Sequence, residues 1–231
     1  MFNKLILSLR KHLSSTKVKL LAIGMEHSAC YGDCQGAKAG STKLFNKISP
    51  RCVYAKLLQD SEATRANVVS EMQKVCDSDL AIIIYAGHGG QKSGRQYETD
   101  GKDEFLGLWD GPLVDNDIWK IISKAKGRVF TIFDCCHSET MFRGFEKINF
   151  ERDENVDLLC WSGCADSEVS YGVPNSGGFL TRYILKYASP FATYDGAWKK
   201  IANNKVLKKQ EIVKRTILKS NTKFKNGIVF S

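Results

Sequence analysis

No apolar run in the 231 residues approaches the roughly 18 that a membrane-spanning helix needs, so no spanning helix is expected. No cleavable signal peptide is expected, and no internal repeat, linker or low-complexity stretch is seen. The eight cysteines contain no pair at C-x2-C spacing, and two of them are adjacent. That pattern argues against both a secreted disulfide framework and paired zinc knuckles. Cys30, Cys34, Cys135, Cys136 and His137 are soft ligands in number, but the missing knuckles count against zinc. The glycine-rich stretch at 86–90 is followed by no Lys-Ser/Thr, so it is not a phosphate-binding loop of the P-loop kind. A reducing, cytoplasmic setting is the expectation.

Acidic residues are also missing from one end. None precedes Glu26, and Phe2, Leu5, Ile6, Leu9 and Leu13 recur at near-helical spacing. Residues 1–17 therefore read as an arm or docking helix, with an organelle presequence as the other possibility. Residues 18–231 read as one domain, with 43% hydrophobic residues to build its core. The net charge of +9 is localised: Lys199–Lys225 holds ten Lys or Arg and one acid, Glu211. Such a segment can meet nucleic acid or an acidic partner. The preferred reading is a solvated helix over Lys208–Ser220, with Ile212, Val213, Ile217 and Leu218 turned inward.

Strand-like and helix-like patterns alternate along the chain. Val18–Ile23, Cys52–Leu57, Leu80–Tyr85, Glu104–Trp109, Arg128–Phe133 and Val156–Trp161 read as strands, and Gly227–Phe230 as an edge strand. Helices are expected over Glu62–Val75, Asp115–Lys124 (capped by Asp115), Phe179–Tyr187 and Gly196–Asn203. Gln91–Asp103 reads as an irregular excursion. The alternation predicts an α/β domain with a mostly parallel sheet and helices on both faces.

Two apolar strands end in reactive groups. LAIIIY at 80–85 runs into Ala86-Gly87-His88-Gly89-Gly90, and RVFTIF at 128–133 runs into Asp134-Cys135-Cys136-His137. Side chains just past the carboxyl ends of buried strands are where open α/β sheets do chemistry. The 48 residues from His88 to Cys136 match the caspase-type interval of about 50. An imidazole there can take the thiol proton, and the thiolate can then attack a carbonyl carbon. Backbone N–H groups of Gly89 and Cys136 are candidates for the oxyanion hole. Cys135 competes as nucleophile, because neighbouring side chains at a strand end face opposite ways and only one can face His88.

Several segments together resemble the metacaspase branch of the caspase-like cysteine peptidases. They are DSEATRAN at 60–67, YAGHGGQ at 85–91, TDGKDE at 99–104, LVDNDIWKII at 113–122, FDCCHS at 133–138, SGCADSEVS at 162–170 and GGFLT at 177–181. The resemblance runs from about Val18 to Tyr187. It implies a caspase-hemoglobinase fold with His88 and Cys136 as the catalytic dyad, and it selects Cys136 over Cys135. It further implies cleavage of peptides after Arg or Lys, with Asp134 as an acid in the specificity pocket. A second pocket acid falls on Gly36 or Ala37, neither of them acidic, and Asp33 is the candidate to compensate. Ala86 stands where the family often has Ser, and Ser162 opens the last pocket motif. Glu139 replaces the usual Gly after His-Ser.

Many members of that family are activated by calcium. Asp103 and Asp115 match two of the ligand positions, Asn116 replaces a third acid, and Arg143 stands at the fourth. Calcium prefers six to eight oxygens and a negative site, so weak or absent binding is expected. The remaining expectations are a single-chain monomer acting on protein or peptide substrates with basic residues, no required cofactor, and no nucleic-acid partner. The rival reading is a caspase-like interaction protein that has lost turnover.

Overall fold

The computed structural model describes residues 16–93, 102–136, 157–163, 172–173, 175–189, 192–203 and 213–217. Residues 1–15 of the N-terminal arm, the edge strand expected at 227–230, His137, Glu139 and Arg143 lie outside them.

Runs of β-branched and apolar residues form the central strands, because a strand buried on both faces needs side chains that pack both ways. β1 (Val18–Gly24), β4 (Tyr54–Gln59), β5 (Leu80–Ala86), β9 (Arg128–Asp134), β10 (Leu158–Ser162) and β13 (Val213–Ile217) make one six-stranded sheet, in the order β13-β10-β9-β5-β1-β4. The first five in the chain are mutually parallel, and β13 runs antiparallel along β10. The short hairpin β2 (His27–Ser28) and β3 (Gly32–Asp33) follows β1. β6 (Gly89–Ser93), β7 (Lys102–Leu108) and β8 (Gly111–Val114) form a three-stranded antiparallel sheet that leads away from β5. β11 (Gly172–Val173) and β12 (Gly177–Gly178) form a last small pair.

Side-chain alternation along the strands divides the core in two. Ile83, Tyr85, Val129 and Phe133 face helices α2 (Arg65–Cys76) and α3 (Asp115–Ile122), which contribute Val68, Met72, Ile118 and Ile122. Ile82, Ile84, Phe130 and Ile132 face α1 (Ala37–Ile48), α4 (Phe179–Tyr187) and α5 (Tyr194–Ala202). Phe130 meets Trp161 and Tyr194 edge-on, each at 4.9 Å between ring centres. The result is the three-layer α/β/α sandwich expected of a caspase-hemoglobinase domain, with helices on both faces of a mostly parallel sheet.

Three local expectations change. Val213–Ile217 is a strand, not part of a helix. The apolar spacing of Val213 and Ile217 suits either element, and pairing with Leu158–Ser162 decides it. Within the polar stretch 91–103, Gln91–Ser93 and Lys102–Asp103 are strand, because Gln91, Lys92 and Ser93 pair with Glu104, Asp103 and Lys102. Asp115 is the first residue of α3 and not its cap; Val114 holds the cap position, and Asp115 Oδ1 accepts from the Asn116 N–H at 2.7 Å. The helix expected over Glu62–Val75 is Arg65–Cys76, and Thr64 caps it: its hydroxyl accepts from the Asn67 N–H at 3.3 Å.

Candidate active site

The sheet register sets the site. Gly24 of β1 pairs with Ala86 of β5, and Ala86 pairs with Asp134 of β9. Two residues further along each strand stand Glu26, His88 and Cys136, so all three leave the same carboxyl-end rim. Neighbouring strands lie about 4.8 Å apart. The backbones of the His88 and Cys136 loops touch: a Cβ on Gly89 would fall 2.1 Å from the Cys136 carbonyl oxygen. Only glycine permits that approach.

The two adjacent cysteines part company here. Cys135 is fully buried in the core beneath α2 and α3, and burial pushes its thiol well above the ordinary range. Cys136 is half-buried at the rim.

His88 is held at both ends. Its Nε2 lies 3.0 Å from the Asp33 backbone carbonyl, a group that only accepts. Nε2 therefore carries the ring proton, and Nδ1 is the acceptor available as a base. The His88 carbonyl accepts from the Gly107 N–H at 2.8 Å and from the buried Tyr85 hydroxyl at 2.7 Å. Burial keeps that phenol protonated, raising it well above its usual range. Gly89 opens β6 opposite Leu106.

The pocket residues read from the sequence lie in different settings. Asp134 is 5% exposed, and its Oδ2 accepts from the Thr181 N–H at 3.0 Å. Thr181 is in the first turn of α4, whose cap residue, Gly178, offers no side chain. A Cβ on Gly178 would fall 2.3 Å from Asp134 Oδ1. Asp134 thus caps α4 from across the fold, an arrangement that favours a negative charge. Ala86 is buried between Gly24 and Asp134 in the sheet. Ser162 is fully buried at the end of β10, 3.5 Å from the Cys160 sulfur. The Asp33 carboxylate is exposed and pairs with His27 Nδ1 at 2.9 Å, while its carbonyl serves His88.

The motifs did not include Glu26, and they gave no role to Asp60 and Tyr85, which open DSEATRAN and YAGHGGQ. Asp60 Oδ1 accepts from the N–H groups of both Glu26 and His27, each at 2.9 Å, and so pins the hairpin that brings Asp33 to His88. The signal for Glu26 was available: it lies the same distance past its strand as His88 and Cys136 lie past theirs.

Asp103 and Asp115 are buried and neighbour Asn116, but the Asn116 amide N–H donates to Asp103 Oδ1 at 3.3 Å. That turns a donor, not an oxygen, toward the carboxylate. Among the described residues, no group of three or more His, Cys, Asp or Glu is placed to hold a metal ion. Arg143 and His137, which complete the calcium and zinc sets read from the sequence, lie outside the described residues. Among the described residues, none of the seven cysteines is in a disulfide.

A parallel α/β/α sandwich with a cysteine and a histidine on one rim is the architecture of the caspase-like cysteine peptidases. The family model described as the caspase domain matches residues 28–215, most of the chain, and the chain belongs to that family. Within it the likeness is to metacaspases. Metacaspase-2 of Trypanosoma brucei brucei is 28% identical over 73% of this chain and 60% of its own length. Metacaspase-5 of the same organism is 26% identical over 71% of this chain and 40% of its own. A relative named "Inactive metacaspase-4", also from Trypanosoma brucei brucei, is 29% identical over 51% of this chain and 41% of its own. The chain thus spans between 40% and 60% of the length of these relatives. Among solved structures, protein GSU0716 from Geobacter sulfurreducens shares the fold, with a TM-score of 0.75 at 21% identity over 93% of this chain and 98% of that one. No helix among the described residues is long and apolar enough to cross a membrane.

Proposed function

We propose that this chain is a cysteine endopeptidase that cleaves after Arg or Lys through the pair His88 and Cys136. The observation that carries the reading is the in-register exit of β5 and β9, with the Gly89 backbone against Cys136. His88 Nδ1 takes the Cys136 thiol proton, and the thiolate adds to the scissile carbonyl carbon. The N–H groups of Cys136 and Gly89 receive the oxyanion. As the tetrahedral species collapses, the amine leaves with the proton held by His88, and a thioester remains. Water, deprotonated by the same imidazole, hydrolyses it and restores the thiol. The Asp33 carbonyl keeps the ring in the tautomer that every step needs. Asp134 gives the basic side chain of the substrate its negative counterpart. The enzyme works as a monomer in a reducing compartment and without a metal.

The test is a panel of peptide amides with Arg, Lys, Asp or Leu before the scissile bond. Turnover confined to Arg and Lys, and abolished by Cys136→Ala, is the expected result. Activity that survives Cys136→Ala refutes the assignment.

A relative carrying the word "inactive" in its name keeps a second reading in play, that of a non-catalytic interaction protein. Failure of an argininal peptide to react with Cys136, together with recovery of a stable partner on immobilised protein, would favour it.

A further inference from the structure

Glu26 is the one member of the rim row that the proposed chemistry leaves without a task. It stands on β1's exit as His88 stands on β5's and Cys136 on β9's. Its Oε2 accepts from the Lys38 N–H at 3.2 Å, which puts the carboxylate against the first turn of α1, beside Ala37. The Lys38 ammonium is drawn elsewhere, to Asp60 Oδ2 at 2.9 Å. Asp134 is the mirror case: a carboxylate at the first turn of α4, on the Cys136 side of the same rim.

The starts of the two helices lie together: a Cβ on Gly40 of α1 would fall 2.8 Å from the Gly177 Cα, just before the α4 cap Gly178. Cys34 stands beside Glu26. Its N–H donates to the Glu26 carbonyl at 2.7 Å. Its thiol is raised to about 11, first by burial and then by the charges of Asp134, Cys136 and Glu26. Raised this far, the Cys34 thiol is uncharged at neutral pH, so it does not compete with the two carboxylates for a cation. One carboxylate already engaged by a helix N-terminus is a weakened anchor for a cation. A guanidinium spreads its charge over a planar fork of five N–H donors, which suits two carboxylates better than one. No acid stands at Gly36 or Ala37 to provide the second.

We infer that Glu26 is a specificity-determining residue, supplying the second carboxylate that, with Asp134, holds the substrate's Arg or Lys side chain. This rests on the proposed peptidase reading and adds a residue to its pocket.

The test is Glu26→Gln, which keeps an oxygen for the Lys38 N–H and removes only the charge. Paired peptide amides carry either Arg or its neutral isostere citrulline before the scissile bond. The ratio of their kcat/KM values is expected to fall at least tenfold in the variant, with the loss on the Arg substrate expressed mainly in KM. A ratio within twofold of wild type overturns the inference. Thermal melting checks the fold. Should the variant not fold, carbodiimide amidation of the wild type supplies the answer. A bound argininal peptide should protect Glu26 severalfold, as read by mass spectrometry, and unchanged modification overturns the inference. A wild type that turns over peptides with no Arg or Lys preference sinks the pocket reading as a whole. An intact preference that survives Glu26→Gln sinks only the role of Glu26.

Discussion

Gly89→Ala tests the contact that joins the two halves of the site. The added methyl would stand 2.1 Å from the Cys136 carbonyl oxygen and 3.0 Å from the Cys135 sulfur. Carbon and oxygen settle at about 3.3 Å, so the His88 and Cys136 loops must part by about 1 Å. Alanine keeps the backbone N–H, so no oxyanion donor is deleted and the effect is one of placement. A 1 Å displacement of reacting groups costs about 10²-fold in rate, or about 2.7 kcal/mol of transition-state stabilisation. Crowding of this kind also lowers stability by about 1–3 kcal/mol. The assay is kcat/KM on an Arg amide at pH 7, beside the alkylation rate of Cys136 by iodoacetamide. Both should fall, because a displaced imidazole no longer assists the thiol. A variant within threefold of wild type in both measurements would refute the claim that the two loops are in contact.

Further outcomes follow from the neighbouring groups. Iodoacetamide at pH 7 should mark Cys136 but leave Cys135 and Cys76 unmodified in the folded protein, the latter raised to about 12 by burial, as peptide mapping will report. Cys135→Ala should keep at least a third of wild-type turnover at a stability cost of about 1 kcal/mol, whereas Cys136→Ala should have none. Asp60 is pushed up by burial but pulled down further by the His27 and Glu26 N–H groups and Lys38, and ends below its usual value. A depressed carboxylate stabilises the fold above its unfolded pKa, about 3.9, and that contribution fades as pH falls through the lower folded value. Urea midpoints should therefore drop between pH 5 and pH 2, with a shallower slope in Asp60→Asn. Calcium calorimetry should give no micromolar binding, and turnover should be the same in calcium and in chelator.

The sheet was legible because its strands are buried on both faces. Leu80–Tyr85 is an unbroken apolar run and Val129–Phe133 a β-branched and aromatic one, and both are as short as a central strand. Register was not legible, since it emerges only when strands pair; equal distances past the three strands hinted at the row of Glu26, His88 and Cys136, and pairing made it one. Val213–Ile217 misled for the opposite reason. Among the described residues it pairs with β10 alone, its apolar signal is thin, and its basic residues read as a solvated helix. At the site, the strand-end Cys and His stood out as residue types. Asp134 did too, but not its seat under α4, because the clue is the bare cap at Gly178, on the far side of the sequence. Asp33 drew notice for its carboxylate, whereas its carbonyl is what meets the imidazole.

The oxygen that orients His88 belongs to the main chain, so an alanine scan walks past it without a trace. Whichever amino acid occupies position 33 offers the same atom, and drift there is tolerated as long as the turn keeps its shape. Among the described residues, the hydrogen-bond partner of the His88 ring is this carbonyl oxygen and not a side chain.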